Sequence, residues 1–137
     1  MNTPKRMDIY YAKLLKTKGS VQYGHRPVLI LSNDVANRFA QTVIVAPLTS
    51  RQKNNIPTHV VIDLGGRKSP KSTIMCEQVR TISVKQLGIK IGKIEDPEII
   101  EKINDALSIA VGFDKRYDWR ENERKVEKCR KVFLTFL

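Results

Sequence analysis

The chain has 137 residues, the length of one domain, because a single hydrophobic core usually organises roughly 100 to 200 residues. Hydrophobic residues make up 41% and charged residues 28%, which is typical of a globular protein and excludes wholesale disorder. The 25 lysines and arginines exceed the 14 acidic residues by 11, and this positive field attracts polyanions such as RNA, DNA or an acidic protein.

Three features of the sequence predict a cytoplasmic protein and leave only a peripheral membrane role open. No segment approaches the roughly 20 consecutive apolar residues that cross a bilayer, and the first residues lack the apolar core of a signal peptide. Cys76 and Cys129 are far apart and neither belongs to a Cys-x-x-Cys pair, which favours a reducing compartment.

The predicted β-strands all precede the first long helical pattern. They are short apolar runs of strand length at residues 8–15, 28–31, 42–48, 59–64, 73–79 and 88–94. The run at 28–31 is continuously apolar, so we expect it to be buried on both faces. Pro47 cannot donate a ladder hydrogen bond, which favours a bulge or an edge position near the end of its strand.

The clearest helix covers residues 97–111. Asp96 can cap its first amide groups, Pro97 occupies the tolerated first position, and Gly112 ends it. Its buried stripe is predicted at Ile99, Ile103, Leu107 and Ala110 or Val111.

Strands followed by a helix, without regular βα alternation, predict a mainly β protein with helices (α+β), built as a small twisted barrel or sheet. Residues 1–112 form the predicted barrel domain. Residues 113–137 are strongly charged, and Val126, Cys129 and Phe133 are spaced like one helical face. We expect them to form an amphipathic helical extension of the same domain that packs on the body or on a partner.

The sequence lacks the usual cofactor and metal motifs. His25 and His59 are the only two histidines, and neither lies in a cluster with metal-ligand spacing. Phosphate-binding glycine loops, dinucleotide-binding turns and the nucleophile elbow of hydrolases are absent. We therefore predict no metal and no cofactor.

Residues 19–27 form a predicted loop of small, hydroxyl, amide and basic residues that leads directly into the buried strand at 28–31. Glycines allow such a loop to approach a phosphate closely, and Arg26 presents a fixed fork of donors. Composition alone favours the alternative of a surface loop with one solvated arginine.

Residues 19–28 resemble the signature Gly-Ser-x-Gln-x-Gly-x-Arg-Pro-Val of the MazF/PemK toxins. Three further blocks resemble the same family in the same order: residues 42–50, 57–60 and 77–82. With the start of the first strand and the closing helix, the resemblance covers about residues 7–112.

The resemblance implies an SH3-like small barrel of the MazF/PemK/CcdB toxin type that forms a homodimer, with RNA crossing a groove around the dimer interface. It implies a sequence-specific endoribonuclease that cuts single-stranded RNA, including mRNA, without metal or ribosome. The substrate's 2'-hydroxyl attacks the phosphorus, leaving a 2',3'-cyclic phosphate and a 5'-hydroxyl. The implied catalytic residues are Arg26 and Thr49, and the implied inhibitor is a cognate antitoxin with a flexible acidic segment.

Five further residues are candidates for RNA binding: Ser20, Gln22, His25, Arg51 and Gln78. Ser20 and Gln22 have the alternative of hydrogen bonds within the loop, and His25 that of pointing to a different face from Arg26. His59 is interpreted as structural, and Glu77 and Arg80 have the alternative of pairing inside the barrel.

Tyr23 and Trp119 are candidates for stacking on bases, with packing in the fold as the alternative. Val21 stands where many relatives carry an acidic residue. Two other functions stay open for the same barrel. One is a CcdB-like DNA gyrase poison, and the other is a non-catalytic module that binds nucleic acid or protein.

Overall fold

In the computed structural model, which describes residues 3–50, 56–64 and 71–113, antiparallel strands surround two adjoining cores and a helix closes one side. The elements in chain order are β1 (Asp8–Leu14), β2 (Gly24–Ile30), α1 (Asp34–Phe39), β3 (Thr42–Thr49), β4 (His59–Ile62), β5 (Ser72–Met75), a 3₁₀ turn (Cys76–Gln78), β6 (Arg80–Ser83), a second 3₁₀ turn (Val84–Gln86), β7 (Leu87–Lys93) and α2 (Pro97–Ala110). The predicted helical extension lies outside the described residues from position 114 onward.

The strand order is β4-β5-β3-β2-β1-β7, and β6 also lies against β3. β3 pairs with β2 along one side and, along the other, first with β6 over Thr42 to Val45 and then with β5 at Leu48 and Thr49. Pro47 lies where β3 changes from one partner to the other. The predicted edge position is therefore wrong, and the change of partner is what accommodates a residue without an amide hydrogen.

Both faces of the central strands are buried, as the run at 28–31 predicted. Leu29 contributes to a core shared with α2, whereas Val28 and Ile30 contribute to a second core on the other face. The alternation follows from the two-residue period of a strand. β2 is therefore fully buried from Val28 to Ile30, and the predicted catalytic residue Arg26 lies just before this stretch.

Helix α2 confirms the signals at its two ends. The Asp96 side chain accepts a hydrogen bond from the Glu98 amide at 2.9 Å, and Gly112 adopts a φ of 76° just beyond the helix. Ile103 is fully buried, and Ile99, Leu107 and Ala110 pack against the same core. None of the helices in the described ranges is long and apolar enough to span a bilayer.

Two predicted boundaries were wrong in ways that affect the functional site. β2 begins at Gly24 and not after Pro27, because residues 24–27 pair with β1. The run at 73–79 is not one strand: β5 stops at Met75, the Cys76–Gln78 turn follows, and β6 starts at Arg80. Helix α1 was missed, although Asn33 caps it by accepting from the Ala36 amide.

A matched pair of substitutions tests the core. Leu29→Ala is expected to lower the free energy of unfolding by about 2–5 kcal/mol, because Leu29 is 0% exposed and the truncation leaves a cavity. Leu15→Ala, at a side chain that is 58% exposed, is expected to change it by less than about 0.5 kcal/mol. Urea denaturation followed by circular dichroism measures both, and equal losses would contradict the assignment of the core.

Candidate functional site

The β2–β3 register brings the two predicted catalytic residues together. The ladder pairs Ile30 with Val45, Leu29 with Ala46 and Val28 with Pro47. Continued by two residues, the same register aligns Arg26 with Thr49. Directly opposed residues of an antiparallel pair lie on the same face and close together, so both side chains belong to one end of the sheet.

Arg26 is held at the start of β2. Gly24 has a φ of +88°, a conformation that strains residues with a Cβ atom, and it turns the chain into the strand. Two residues later, the Arg26 Nε donates to the Tyr23 carbonyl at 3.1 Å. This hydrogen bond fixes the half-buried guanidinium relative to the loop that precedes it.

Thr49 is the last residue of β3, and it is 8% exposed. Its backbone pairs with Thr73 of β5, so it is anchored from the side opposite Arg26. A hydroxyl at such a position is well fixed, since the residue is buried and its backbone is paired with β5.

The loop before β2 is clamped by the segment that follows β5. The Gln22 amide donates to the Gln78 Oε1 at 2.9 Å, and the Arg80 Nη1 donates to the Gln22 carbonyl at 3.4 Å. Two predicted RNA-binding residues, Gln22 and Gln78, are therefore in direct contact. Because the Gln22 amide requires an acceptor, the oxygen of the Gln78 amide group is the atom that faces it.

The nitrogen of the Gln78 amide group differs from its oxygen in its contacts. Within the described part of the chain, its Nε2 is buried and has no hydrogen-bond partner. A buried donor without a partner is costly. The Gln78 Nε2 is therefore a candidate to donate a hydrogen bond to a bound ligand.

The remaining predicted residues are less closely gathered. Ser20 lies half-buried in the clamped loop. His25 is exposed on β2, and because neighbours on a strand face opposite ways, it lies on the other face from Arg26. Tyr23 is exposed, with the Lys16 Nζ 5.4 Å from its ring centroid. Arg51 and Trp119 lie outside the described residues.

Sequence reasoning missed a buried polar cluster beside this site. The His59 Nε2 lies 2.6 Å from the Glu77 Oε1, and the Thr58 hydroxyl donates to the Glu77 Oε2 at 2.9 Å. Glu77 thus pairs with His59, whereas Arg80 contacts the Gln22 backbone. The only sequence signal was that residues 57–60 and 77–82 both belong to blocks that resemble one family.

Comparisons with known proteins identify relatives of this chain. Residues 5–111 match the model of the PemK-like, MazF-like toxins of type II toxin-antitoxin systems. The chain is 44% identical over 109 residues to the endoribonuclease EndoA of Bacillus subtilis (78% of this chain, 93% of the relative). It is 42% identical over 110 residues to the endoribonuclease MazF of Staphylococcus saprophyticus (79% and 91%).

A solved mycobacterial endoribonuclease, in complex with its cognate antitoxin, is 30% identical with a TM-score of 0.66, covering 81% of this chain and 97% of its own. The chain belongs to the PemK/MazF toxin family. The predicted family, the mainly antiparallel fold with a closing helix, and the class of endoribonuclease toxin are confirmed.

Cys76 is the one thiol in the part of the toxin that the structure describes, and it is not a nucleophile. Its side chain is fully buried, and burial, followed by the nearby Glu77 carboxylate, raises the pKa of the thiol to about 12. At pH 8 a pKa of that size leaves roughly one thiolate in 10⁴.

This predicts slow alkylation. In the native toxin at pH 8, iodoacetamide is expected to leave the peptide containing Cys76 unmodified, and in 6 M guanidinium the same peptide is expected to react fully. Peptide mass spectrometry separates Cys76 from Cys129. Rapid native labelling at Cys76 would contradict its burial.

Proposed function

We propose that this toxin is a sequence-specific, metal- and ribosome-independent endoribonuclease that cleaves single-stranded RNA, including mRNA, through the substrate's own 2'-hydroxyl. The observation that carries the proposal is the β2–β3 register, which ends at Val28 and Pro47 and, continued by two residues, aligns Arg26 with Thr49 next to the contact between the Gln22 backbone and Gln78. This register supports a site with a cationic fork and a hydroxyl at one end of the sheet, beside a loop suited to a polyanion.

The reaction needs little from the protein beyond charge and position. As the 2'-oxygen attacks phosphorus, negative charge accumulates on the phosphoryl oxygens, and donors already aimed at them lower the barrier. The Arg26 guanidinium and the Thr49 hydroxyl are the two donors. A guanidinium stays protonated in proteins, so the contribution of Arg26 is electrostatic.

The products follow from the bonds that change. The 2'-hydroxyl loses its proton as its oxygen forms a bond to phosphorus, the bond from phosphorus to the 5'-oxygen breaks, and that oxygen takes up a proton, which gives a 2',3'-cyclic phosphate and a 5'-hydroxyl with no net change in protons. Because the nucleophile belongs to the substrate, the protein needs no activated serine, cysteine or bound hydroxide.

RNA binding is assigned to Ser20, Gln22, His25, Arg51 and Gln78. The strongest support concerns Gln78, whose buried Nε2 lacks a partner among the described residues and is suited to donate to a base edge. Gln22 belongs to the loop that Gln78 holds, which supports a role for both amide side chains in contacting neighbouring nucleotides.

The toxin is proposed to act in the cytoplasm as a homodimer restrained by a cognate antitoxin with a flexible acidic segment. The exposed apolar residues Tyr11, Ile89 and Ile91 on the paired strands β1 and β7 support a protein interface. The excess of 11 positive charges suits an acidic partner, since complementary fields speed association. Sedimentation of the purified chain tests the dimer, and co-purification with an acidic antitoxin that inhibits cleavage tests the partner.

The test of the function is cleavage of a long single-stranded RNA in EDTA, with the ends mapped chemically. Discrete cuts with cyclic phosphate and 5'-hydroxyl ends are expected. No cutting across diverse RNAs would instead favour a gyrase poison or a binding module, and cutting only with added Mg²⁺ would contradict the metal-independent mechanism.

A further inference from the structure

Glu77 forms a largely buried pair with His59 beside the proposed site. Its side chain is 11% exposed and that of His59 is 2% exposed. Because both side chains are largely buried, the pair is suited to act through the residues around it.

Both carboxylate oxygens of Glu77 are held by the start of β4. The His59 Nε2 lies 2.6 Å from one oxygen, and the Thr58 hydroxyl donates to the other at 2.9 Å. A backbone hydrogen bond joins the same two segments, since the Cys76 amide donates to the Thr58 carbonyl at 3.0 Å. The Cys76–Gln78 turn is thereby fixed to β4 through its first two residues.

The turn has little stability of its own. It is three residues long, and no side chain caps its first amide; an isolated 3₁₀ turn of this length is not self-supporting. Its orientation depends on the burial of Cys76 and on the hold that His59 and Thr58 have on Glu77. Gln78 follows Glu77 and is the last residue of this turn, so the orientation of the turn determines where the Gln78 side chain lies.

Gln78 transmits the orientation to the loop before β2. Its Oε1 accepts from the Gln22 amide at 2.9 Å, and the carbonyl of the following residue, Tyr23, accepts from the Arg26 Nε at 3.1 Å. A continuous path of close contacts therefore leads from the buried pair to the guanidinium.

We infer that Glu77, locked by His59 and Thr58, is a positioning residue that sets the placement of Gln78, of the Gln22 loop and thereby of Arg26. The inference rests on the proposed function of Arg26 and Gln78. It assigns to the buried cluster a role in aligning the RNA-cleaving loop, in addition to any role in stability.

The test combines a local readout with kinetics. Glu77→Gln keeps the shape of the side chain but weakens its hold on His59. The Gln22 amide proton, followed by amide-resolved NMR exchange, is expected to exchange about 5- to 10-fold faster, the factor expected when one hydrogen bond's net stabilisation is lost. The kcat/KM for RNA cleavage is expected to fall about 10- to 100-fold, the range that small misplacements of reacting groups produce.

A double-mutant cycle separates positioning from general stability. Gln78→Ala removes the acceptor for Gln22 directly, and adding Glu77→Gln to it is expected to cause no further loss of Gln22 protection, because both act along one path. Val43→Ala in the second core serves as the stability control, with a lower melting temperature but native Gln22 protection. Glu101→Gln on the exposed face of α2 is the matched charge control, with no effect on either readout.

Thr58→Val gives a milder version of the experiment if Glu77→Gln does not fold. It removes one of the two contacts to Glu77, and a smaller shift in the same direction is expected. Native Gln22 protection in Glu77→Gln and Thr58→Val, or full additivity with Gln78→Ala, would overturn the inference. Failure of the proposed function would look different, since the native toxin would then protect Gln22 but leave RNA in EDTA uncut.

Discussion

Arg26→Ala is expected to lower the rate constant for RNA cleavage by at least about 10³-fold, measured under single-turnover conditions in EDTA. The magnitude follows from removing a preorganised donor at the point where charge develops, for which losses of about 10² to 10⁵ are typical. Arg26→Lys keeps the charge but loses the planar fork of donors, so an intermediate loss of about 10²-fold is expected.

The control for Arg26 is Lys102→Ala, which removes the same single positive charge from an exposed position on α2. Its cleavage rate is expected to stay within a few-fold of the native rate, since a surface charge affects mainly the association of RNA. Should Arg26→Ala cut at the native rate while remaining folded, the site would lie elsewhere on the molecule.

Thr49→Val is expected to lower kcat by about 10²-fold, because it removes a transition-state donor while nearly preserving the shape of the side chain. Thr49→Ser, which retains the hydroxyl, is expected to stay within about tenfold of native. Thr42→Val, at the exposed opposite end of the same strand, controls for the effect of the substitution on β3.

The kinetic constants discriminate between roles for Thr49. A donor that acts only in the transition state changes kcat with KM nearly constant, whereas a residue that merely binds RNA raises KM. A rise in KM at native kcat would reassign Thr49 from catalysis to binding.

The local elements were predictable because their signals lie within a few residues of one another. Asp96, Pro97 and Gly112 specify the two ends of α2, and the apolar run at 28–31 specifies a strand buried on both faces. The Gly-Ser-x-Gln loop and its companion blocks identified the family and the class of activity, and they predict Arg26 and Thr49 as the catalytic pair.

Some boundaries were wrong because tertiary pairing overrides local composition. Residues 24–27 look like loop, yet their pairing with β1 makes them strand. Residues 73–79 look like one strand, yet Glu77 is drawn into the buried contact with His59 and the chain forms a turn there. In short runs of this kind, the residues that pack and pair with the segment determine whether it forms strand, loop or turn.

The sequence by itself therefore determined the ends of α2 and the buried strand at 28–31. It also determined the family and the residue types that are available for phosphate chemistry. Only the tertiary structure decided the β2–β3 register, which when continued aligns Arg26 with Thr49, and the contacts of Gln78 with the Gln22 backbone and of Glu77 with His59 and Thr58. The physical reason is that strand register and the burial of polar partners join residues far apart in the chain. Local propensity and periodicity contain no information about such contacts.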